Sequence, residues 1–275
     1  MPTRTKLEAL LETYPSVLVG YSGGVDSTLV AVVAQRVLGP DRAVAAVGVS
    51  SSLSRAQHEQ AAALARRFRL DMIELRTEEL DDPRYAANPT NRCFFCKHEL
   101  WAKLAAEARR RGLAWVADGT NADDLGEHRP GLLAARGHAI RSPLAEAGYA
   151  KADVRAEARA LGIPIWDAPA APCLASRIRY GLSVTRARLE QVERGEALLR
   201  AFGVRGDLRL RHQDGEARIE VGPAEFARVR ANRAEIGDGL LALGFDRVTL
   251  DLRGYRRGSL LTDVDAGLEL VAARA

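Results

Sequence analysis

Three groups of residues in this 275-residue chain combine types and spacings that suit chemistry. The first is Ser22-Gly23-Gly24-Val25-Asp26-Ser27. Adjacent glycines let backbone amides approach an anion with no Cβ in the way. The hydroxyls of Ser22 and Ser27 can donate to phosphate oxygens, and the Asp26 carboxylate can hold Mg²⁺ or cap a helix. The loop lacks the lysine of the GxxxxGK[ST] phosphate motif, so it is a phosphate cradle of a different kind. The second group is Asp118-Gly119-Thr120-Asn121-Ala122-Asp123-Asp124, followed by Arg129 in Arg129-Pro130-Gly131. Its carboxylates are hard oxygen donors of the sort Mg²⁺ takes, with Asp124 the candidate ligand beside Asp26. Arg129 can meet a phosphate or a carboxylate. Taken alone, the same aspartates also fit an Asx-rich helix cap.

The third group contains every cysteine in the chain. Cys93 and Cys96 form CxxC in Asn91-Arg92-Cys93-Phe94-Phe95-Cys96-Lys97, and Cys173 lies 77 residues beyond Cys96 in Pro172-Cys173-Leu174-Ala175-Ser176-Arg177. An odd count argues against a disulfide framework. Two thiols at this spacing can reach one metal or cluster. Three thiolates would leave one iron of a [4Fe–4S] cluster without a protein ligand. Zinc would need a fourth ligand, which His98 or His128 could supply. Burial as small apolar side chains is the bland alternative. All three cysteines fall in polar segments flanked by Arg92, Lys97 and Arg177, which favours the reactive reading. Ser176 and Arg177 are placed to bind a substrate phosphate or carboxylate, since arginine pairs with such groups bidentately.

The elements that must position these residues alternate in type. Apolar runs at Ser16–Tyr21, Ala43–Val49, Asp71–Leu75 and Ala114–Asp118 read as strands. Helices are expected over Asp26–Leu38, Ser54–Phe68 and Lys97–Arg111. Ser54 with Gln57 three residues on makes a capping box, and Gly112 closes the last helix. Strands alternating with helices imply a Rossmann-like parallel α/β sheet with helices on both faces. Such sheets bind ligands beyond the carboxyl ends of their strands, where the first two groups fall. The Pro-rich stretch Pro164–Pro172 breaks this rhythm. After it come a helix at Thr185–Phe202, strands at Asp207–His212 and Ala217–Val221 joined by a hairpin at Asp214-Gly215, a helix over Ala224–Leu243 and a strand at Arg247–Leu252. This pattern predicts a small α+β domain with an antiparallel sheet, and the expected domains are 1–180 and 181–275. Arg209 and Arg211 share one face of the first of these strands, with Arg218 and Glu220 alike on the second. They form either an anion site or a solvated face.

Composition narrows the class. Hydrophobic residues at 47% and charged residues at 28% are those of an ordinary globular protein. No apolar run reaches the roughly 20 residues of a membrane helix. The N-terminus reads as a short amphipathic helix rather than a signal peptide, so a cytoplasmic protein is expected. The net charge of +4 is spread among interleaved acids and bases, and no RNA-binding motif is present. Nucleic acid is therefore not an expected partner.

Ser22–Ser27 resembles the pyrophosphate-binding loop of the N-type ATP pyrophosphatases, which cut ATP between its α- and β-phosphates. Asp118–Asp124 is similar to the GT-x-x-D element of that superfamily, which brings Gly119 and Thr120 into the expected nucleotide site. Similar enzymes place adenosine near the loop holding Ser51. All four signatures in order, SGGVDS, NRCFFCK, DGTNADD with RPG, and APCLASRI, resemble the LarE family over most of residues 10–255. That resemblance implies an ATP-dependent sulfurtransferase. A carboxylate of pyridinium-3,5-biscarboxylic acid mononucleotide is adenylated, and sulfur then displaces AMP, for the nickel-pincer nucleotide cofactor of lactate racemase. It implies ATP, Mg²⁺ and a [4Fe–4S] cluster on Cys93, Cys96 and Cys173, and a small-molecule nucleotide as substrate. It also implies that Arg209 and Arg211 bind anions in a C-terminal domain that assists homo-oligomerisation. Family members without CxxC instead sacrifice the cysteine at the position of Cys173. An amide-forming ligase like NAD synthetase, a tRNA thiolase and a non-catalytic nucleotide or iron–sulfur carrier are the competing readings.

Overall fold

The computed structural model describes residues 5–126, 134–135, 137–169, 171–256 and the backbone of Gly267–Val271. The chain divides into two compact units, 1–82 with 91–171, and 83–90 with 172–275. The sequence places the division near 180. The structure places it at 171/172 and moves 83–90 into the second unit. Asn88 accounts for that transfer. It is fully buried at φ 56°, and its Nδ2 donates to the carbonyls of Ile178, Arg179 and Leu182.

The first unit is a four-stranded parallel sheet in the order β3-β2-β1-β4: β1 Val17–Gly20, β2 Ala43–Val49, β3 Met72–Arg76 and β4 Trp115–Ala117. Its inner strands are apolar throughout because helices cover both faces. Val17, Val19, Ala43, Ala45 and Val47 pack into one core with α1 (Lys6–Leu11), α2 (Val25–Leu38) and α3 (Arg55–Phe68). Leu18, Val44 and Ala46 turn to the other face. There they meet Trp101, Leu104 and Ala108 of a long helix that follows the short α4 (Pro83–Ala86). That long helix, α5 (Arg92–Arg111), starts earlier than the sequence suggests. The apolar stripe Trp101-Leu104-Ala108 continues back two turns to Phe94, which packs on the same core and extends the helix through the CxxC segment. Cys93 and Cys96 therefore lie on the first two turns of a helix rather than in a loop. The unit continues with α6 (Pro143–Glu146) and α7 (Lys151–Ala160).

The second unit carries α8 (Arg186–Ala201), capped by Thr185, and a four-stranded sheet in the order β5-β6-β7-β8. The strands are β5 Leu208–Gln213, β6 Glu216–Val221, β7 Arg247–Asp251 and β8 Gly267–Val271. The hairpin falls at Asp214-Gly215, both at positive φ as a tight two-residue turn requires. The sheet is mixed, not antiparallel: β6 and β7 run parallel. The chain returns between them through α9 (Phe226–Ala231) and α10 (Arg233–Ala242), which Asn232 separates. Leu208, Leu210, Ala217, Ile219, Val221, Val248 and Leu250 form the core under these helices. The other sheet face is not solvated. Arg209, Arg211, Glu216, Arg218, Glu220, Thr249 and Asp251 are all buried, and ion pairs link most of the charges. Arg211 pairs with Glu220, Arg218 and Arg247 pair with Glu216, and Arg253 pairs with Asp251.

Candidate active site

Strand β1 is flanked by β2 on one side and β4 on the other, so the connections leaving β1 and β4 diverge and open a crevice at their carboxyl ends. Two candidate segments meet there. Ser22–Gly24 leaves β1 and turns into α2, whose N-cap is Gly24. Glycine offers no side chain to cap the first-turn amides of this 14-residue helix, and a helix has no internal partners for them. The dipole of α2 adds partial positive charge at the same point, and together these features suit a phosphate. The loop is braced from within. Ser27 Oγ accepts from Ser22 N at 3.1 Å, lies 3.1 Å from Ser22 Oγ and donates to Gly24 O at 3.2 Å. Gln60 on α3 donates to Gly23 O at 3.0 Å. Gly23 has φ 70°, and a Cβ there would stand 2.8 Å from Ala61 Cα.

The segment after β4 packs directly on this loop. A Cβ on Gly119 would meet Ser27 N at 2.6 Å, so Asp118–Asp124 and Ser22–Ser27 form one structure. Asp118 accepts from Thr120 N (2.9 Å), Thr120 Oγ1 (2.7 Å) and Ser142 Oγ (2.9 Å). Asp123 accepts from Lys151 N at 2.9 Å, at the start of α7, and Asp124 accepts from Asn121 N at 3.2 Å. These hydrogen bonds seat the segment's carboxylates against backbone amides and hydroxyls. Asp26 differs. Lys151 Nζ lies 2.6 Å from Asp26 Oδ2, and Asn121 Nδ2 donates to Asp26 Oδ1 at 3.2 Å. A carboxylate already facing a cation beside a phosphate cradle fits Mg²⁺, which takes one or two carboxylates with the rest of its shell from phosphates and water. Neither Lys151 nor Asn121 stood out in the sequence. Lys151 opens an ordinary helix, and Asn121 is one Asx residue among several. Only the fold brings both to Asp26.

Ser51 is half-buried in the turn after β2, at the same sheet edge. Beside it, Ser50 Oγ donates to the buried Glu79 at 2.5 Å. Val25 is buried at the first position of α2. Arg129 and His128 lie outside the described residues. Cys93 is exposed, whereas Cys96 and Cys173 are half-buried, so none behaves as a core apolar residue. Cys93 and Cys96 are three apart on α5, a spacing that puts side chains on one face roughly 5–6 Å apart. Among the described residues, no group of three His, Cys, Asp or Glu side chains gathers within either unit.

In the second unit Cys173 caps a 3₁₀ turn, Leu174–Arg177. Arg177 was expected to bind substrate, but it is 6% exposed and its donors are engaged. Its Nε and Nη2 pair with Glu196 at 2.9 and 3.2 Å, and its Nη1 donates to Pro172 O at 2.6 Å and Cys173 O at 3.1 Å. Ser176 Oγ donates to the same Cys173 carbonyl at 2.7 Å. Arg211 Nη1 donates to Ser176 O at 2.8 Å. These groups hold the cysteine turn. Arg209 lies over the Tyr255 ring at 5.0 Å, and burial together with the nearby Arg177 lowers its basicity.

The comparisons agree with this geometry. The NAD synthase family model matches residues 7–117, which run from α1 through β4. An uncharacterized protein of Synechocystis is 43% identical over 93% of this chain and 97% of its own length. An uncharacterized protein of Methanocaldococcus jannaschii is 28% identical over 87% of this chain and 90% of its own. The pyridinium-3,5-bisthiocarboxylic acid mononucleotide synthase of Lactiplantibacillus plantarum is 34% identical over 94% of this chain and 93% of its own length. With that identity over nearly the whole of both proteins, and with a parallel α/β unit of the NAD synthase type, the chain belongs to the LarE family of pyridinium-3,5-bisthiocarboxylic acid mononucleotide synthases.

Proposed function

We propose that this protein is an ATP-dependent sulfurtransferase that converts a carboxylate of pyridinium-3,5-biscarboxylic acid mononucleotide to a thiocarboxylate. The observation that carries the ATP half is the uncapped start of α2, locked under Gly119 at the sheet's switch point. In the first step a substrate carboxylate oxygen attacks the α-phosphorus, the α–β bridging bond breaks and pyrophosphate leaves. Charge builds on that leaving group. The first-turn amides of α2, Ser22 and Ser27 are placed to stabilise it, which is where preorganised donors count most. Asp26 would hold the Mg²⁺ that neutralises the phosphates. Lys151 now neutralises Asp26, and it is free to turn to the phosphates when a metal takes its place. The sheet edge around Ser51 is assigned to the adenosine, and Thr120 supports the loop. Asp124, which accepts from Asn121 N, is the second carboxylate proposed for that Mg²⁺.

In the second step sulfur attacks the acyl carbon and AMP leaves. The donor set Cys93, Cys96 and Cys173 fits a [4Fe–4S] cluster in kind, with thiols on one helix face and on a separate braced turn. Such a cluster supplies an iron without a protein ligand, which can carry the sulfur to be transferred. The chain's own contribution is to hold Cys173 through Arg177, Ser176 and Arg211. This gives Ser176 and Arg177 a positioning role, while the family resemblance offers Arg209 and Arg211 for the substrate's anionic groups. The same reading places the protein in the cytoplasm as a homo-oligomer.

The test is pyrophosphate release with and without the biscarboxylate mononucleotide. Release that depends on this substrate, with AMP formed one for one, is expected. Release with ammonia and no cysteine requirement would replace the reading by an amide-forming ligase. Anaerobic protein should carry about four irons per chain, and Cys93→Ala or Cys96→Ala should abolish repeated turnover. Colourless protein that turns over once and loses the mass of H₂S at Cys173 would assign the sulfur to Cys173 itself.

A further inference from the structure

We infer that Asn121 is a positioning residue that fixes which oxygen of Asp26 faces the metal, an inference that rests on the ATP reading above. Asn121 is 3% exposed. Its amide has one oxygen and two N–H donors. The oxygen is claimed by two backbone amides, Asp123 N at 3.0 Å and Asp124 N at 3.3 Å, which open the turn Asp123–Gly126. The orientation of the amide is therefore set locally, and its NH₂ must point the other way. There it donates to Asp26 Oδ1. With Oδ1 occupied, the opposite oxygen, Oδ2, is the one that faces a cation, now Lys151 Nζ. The cation is held by the same turn, since Asp123 Oδ2 accepts from Lys151 N. Gly119 seats the whole segment against Ser27. One short stretch, Gly119–Asp124, thus sets both neighbours of the Asp26 carboxylate.

Asparagine does two jobs here, and a single atom separates them. Asn121→Asp keeps the oxygen that caps Asp123 N and Asp124 N, but it cannot donate to Asp26 and sets a second carboxylate against it. Asn121→Ala loses both functions. The experiment compares the two variants with the unaltered protein in three measurements: thermal midpoint, Mn²⁺ binding by electron paramagnetic resonance, and the kcat and KM for ATP in pyrophosphate release. Asn121→Asp should retain more of the thermal midpoint than Asn121→Ala. It should bind Mn²⁺ about tenfold more tightly, because paired carboxylates favour a hard cation. Its kcat should fall about tenfold or more, with a changed Mg²⁺ requirement, because Asp26 is no longer oriented. If Asn121→Asp matches the unaltered protein in metal binding and Mg²⁺ dependence, Asn121 is a turn cap and the inference fails. If the unaltered protein releases no pyrophosphate, the ATP reading fails, and the Mn²⁺ comparison still decides the role of Asn121.

Discussion

Gly24 and Gly119 flank the same few atoms of the phosphate loop, yet they forbid a side chain to different degrees. At Gly24, with φ −81°, a Cβ would meet only Ser22 Oγ, at 3.4 Å. Gly24→Ala should therefore fold with little change in thermal midpoint but raise the KM for ATP, because the methyl group crowds the anion site rather than the protein. At Gly119 a Cβ would meet backbone, Ser27 N at 2.6 Å and Asp26 C at 3.0 Å, which no rotamer can relieve. Gly119→Ala should cost at least the upper end of the roughly 1–3 kcal/mol typical of overpacking, and it should displace the loop. Urea unfolding together with ATP kinetics on the two variants tests the contrast. Equal effects on stability would show that the close approach of Gly119 to Ser27 is not a constraint in solution.

The helices show which local signals hold in the tertiary structure. Ser54 accepts from Gln57 N at 3.2 Å, and Ser54 N donates to Gln57 Oε1 at 3.4 Å, the reciprocal pair that the sequence predicts for the start of α3. Ser54→Ala should lower stability by about 1 kcal/mol, as loss of an N-cap hydroxyl does. It should also weaken ATP binding, because α3 carries Gln60, the donor to Gly23 O. A variant with unchanged thermal midpoint would show that the first turn of α3 does not rely on its cap. In α5 the local signals mislead at the start: Asn91 makes no side-chain cap, and the packing of Phe94 on the sheet favours a helix through the CxxC segment. Helical spacing of Cys93 and Cys96 then follows from the core rather than from the two cysteines.

At the scale of the whole molecule, stability depends on polar groups that the second unit buries. His212 is 4% exposed on β5, lies 5.1 Å from the Phe245 ring and faces Gln191 Oε1 at 3.0 Å. Gln191 Nε2 donates to Leu243 O, so its oxygen faces the imidazole and His212 Nε2 carries the proton. Burial, with the positive charge of Arg188, pushes the His212 pKa down from 6.5 to about 4. The folded state therefore prefers the neutral ring, while the unfolded chain binds a proton near pH 6.5. The stability due to this preference is complete above pH 6.5 and is lost as pH falls from there toward about 4, by about 3 kcal/mol. Unfolding free energies of the protein and of His212→Asn should converge across that window. A difference that stays constant from pH 7 to pH 4.5 would show that His212 does not titrate on unfolding. The ion pairs of the same sheet are a second burial cost. Glu216→Ala, which removes the carboxylate that meets the buried Arg218 and Thr249, should destabilise by roughly 3–5 kcal/mol.

The sequence by itself determined the parallel α/β unit, because strands buried on both faces have to be apolar throughout, and it marked the candidate anion loop, because Gly23-Gly24 between a strand and a helix has a local physical meaning. The α3 cap and the Asp214-Gly215 hairpin were legible for the same reason: each depends on residues a few positions apart. What lies between distant residues was not legible. Lys151 stands 125 positions from Asp26 in an unmarked helix, and Asn121 stands 95 from it, within a marked segment that gives no sign of which of its residues meets Asp26. The parallel pairing of β6 with β7 depended on how α9 and α10 return the chain, and the burial of the arginine face on β5 depended on what covers it. Side-chain type and local spacing decide which groups can do chemistry. Which group faces which is decided by packing, since only the folded backbone brings an ammonium and an amide to opposite oxygens of one carboxylate.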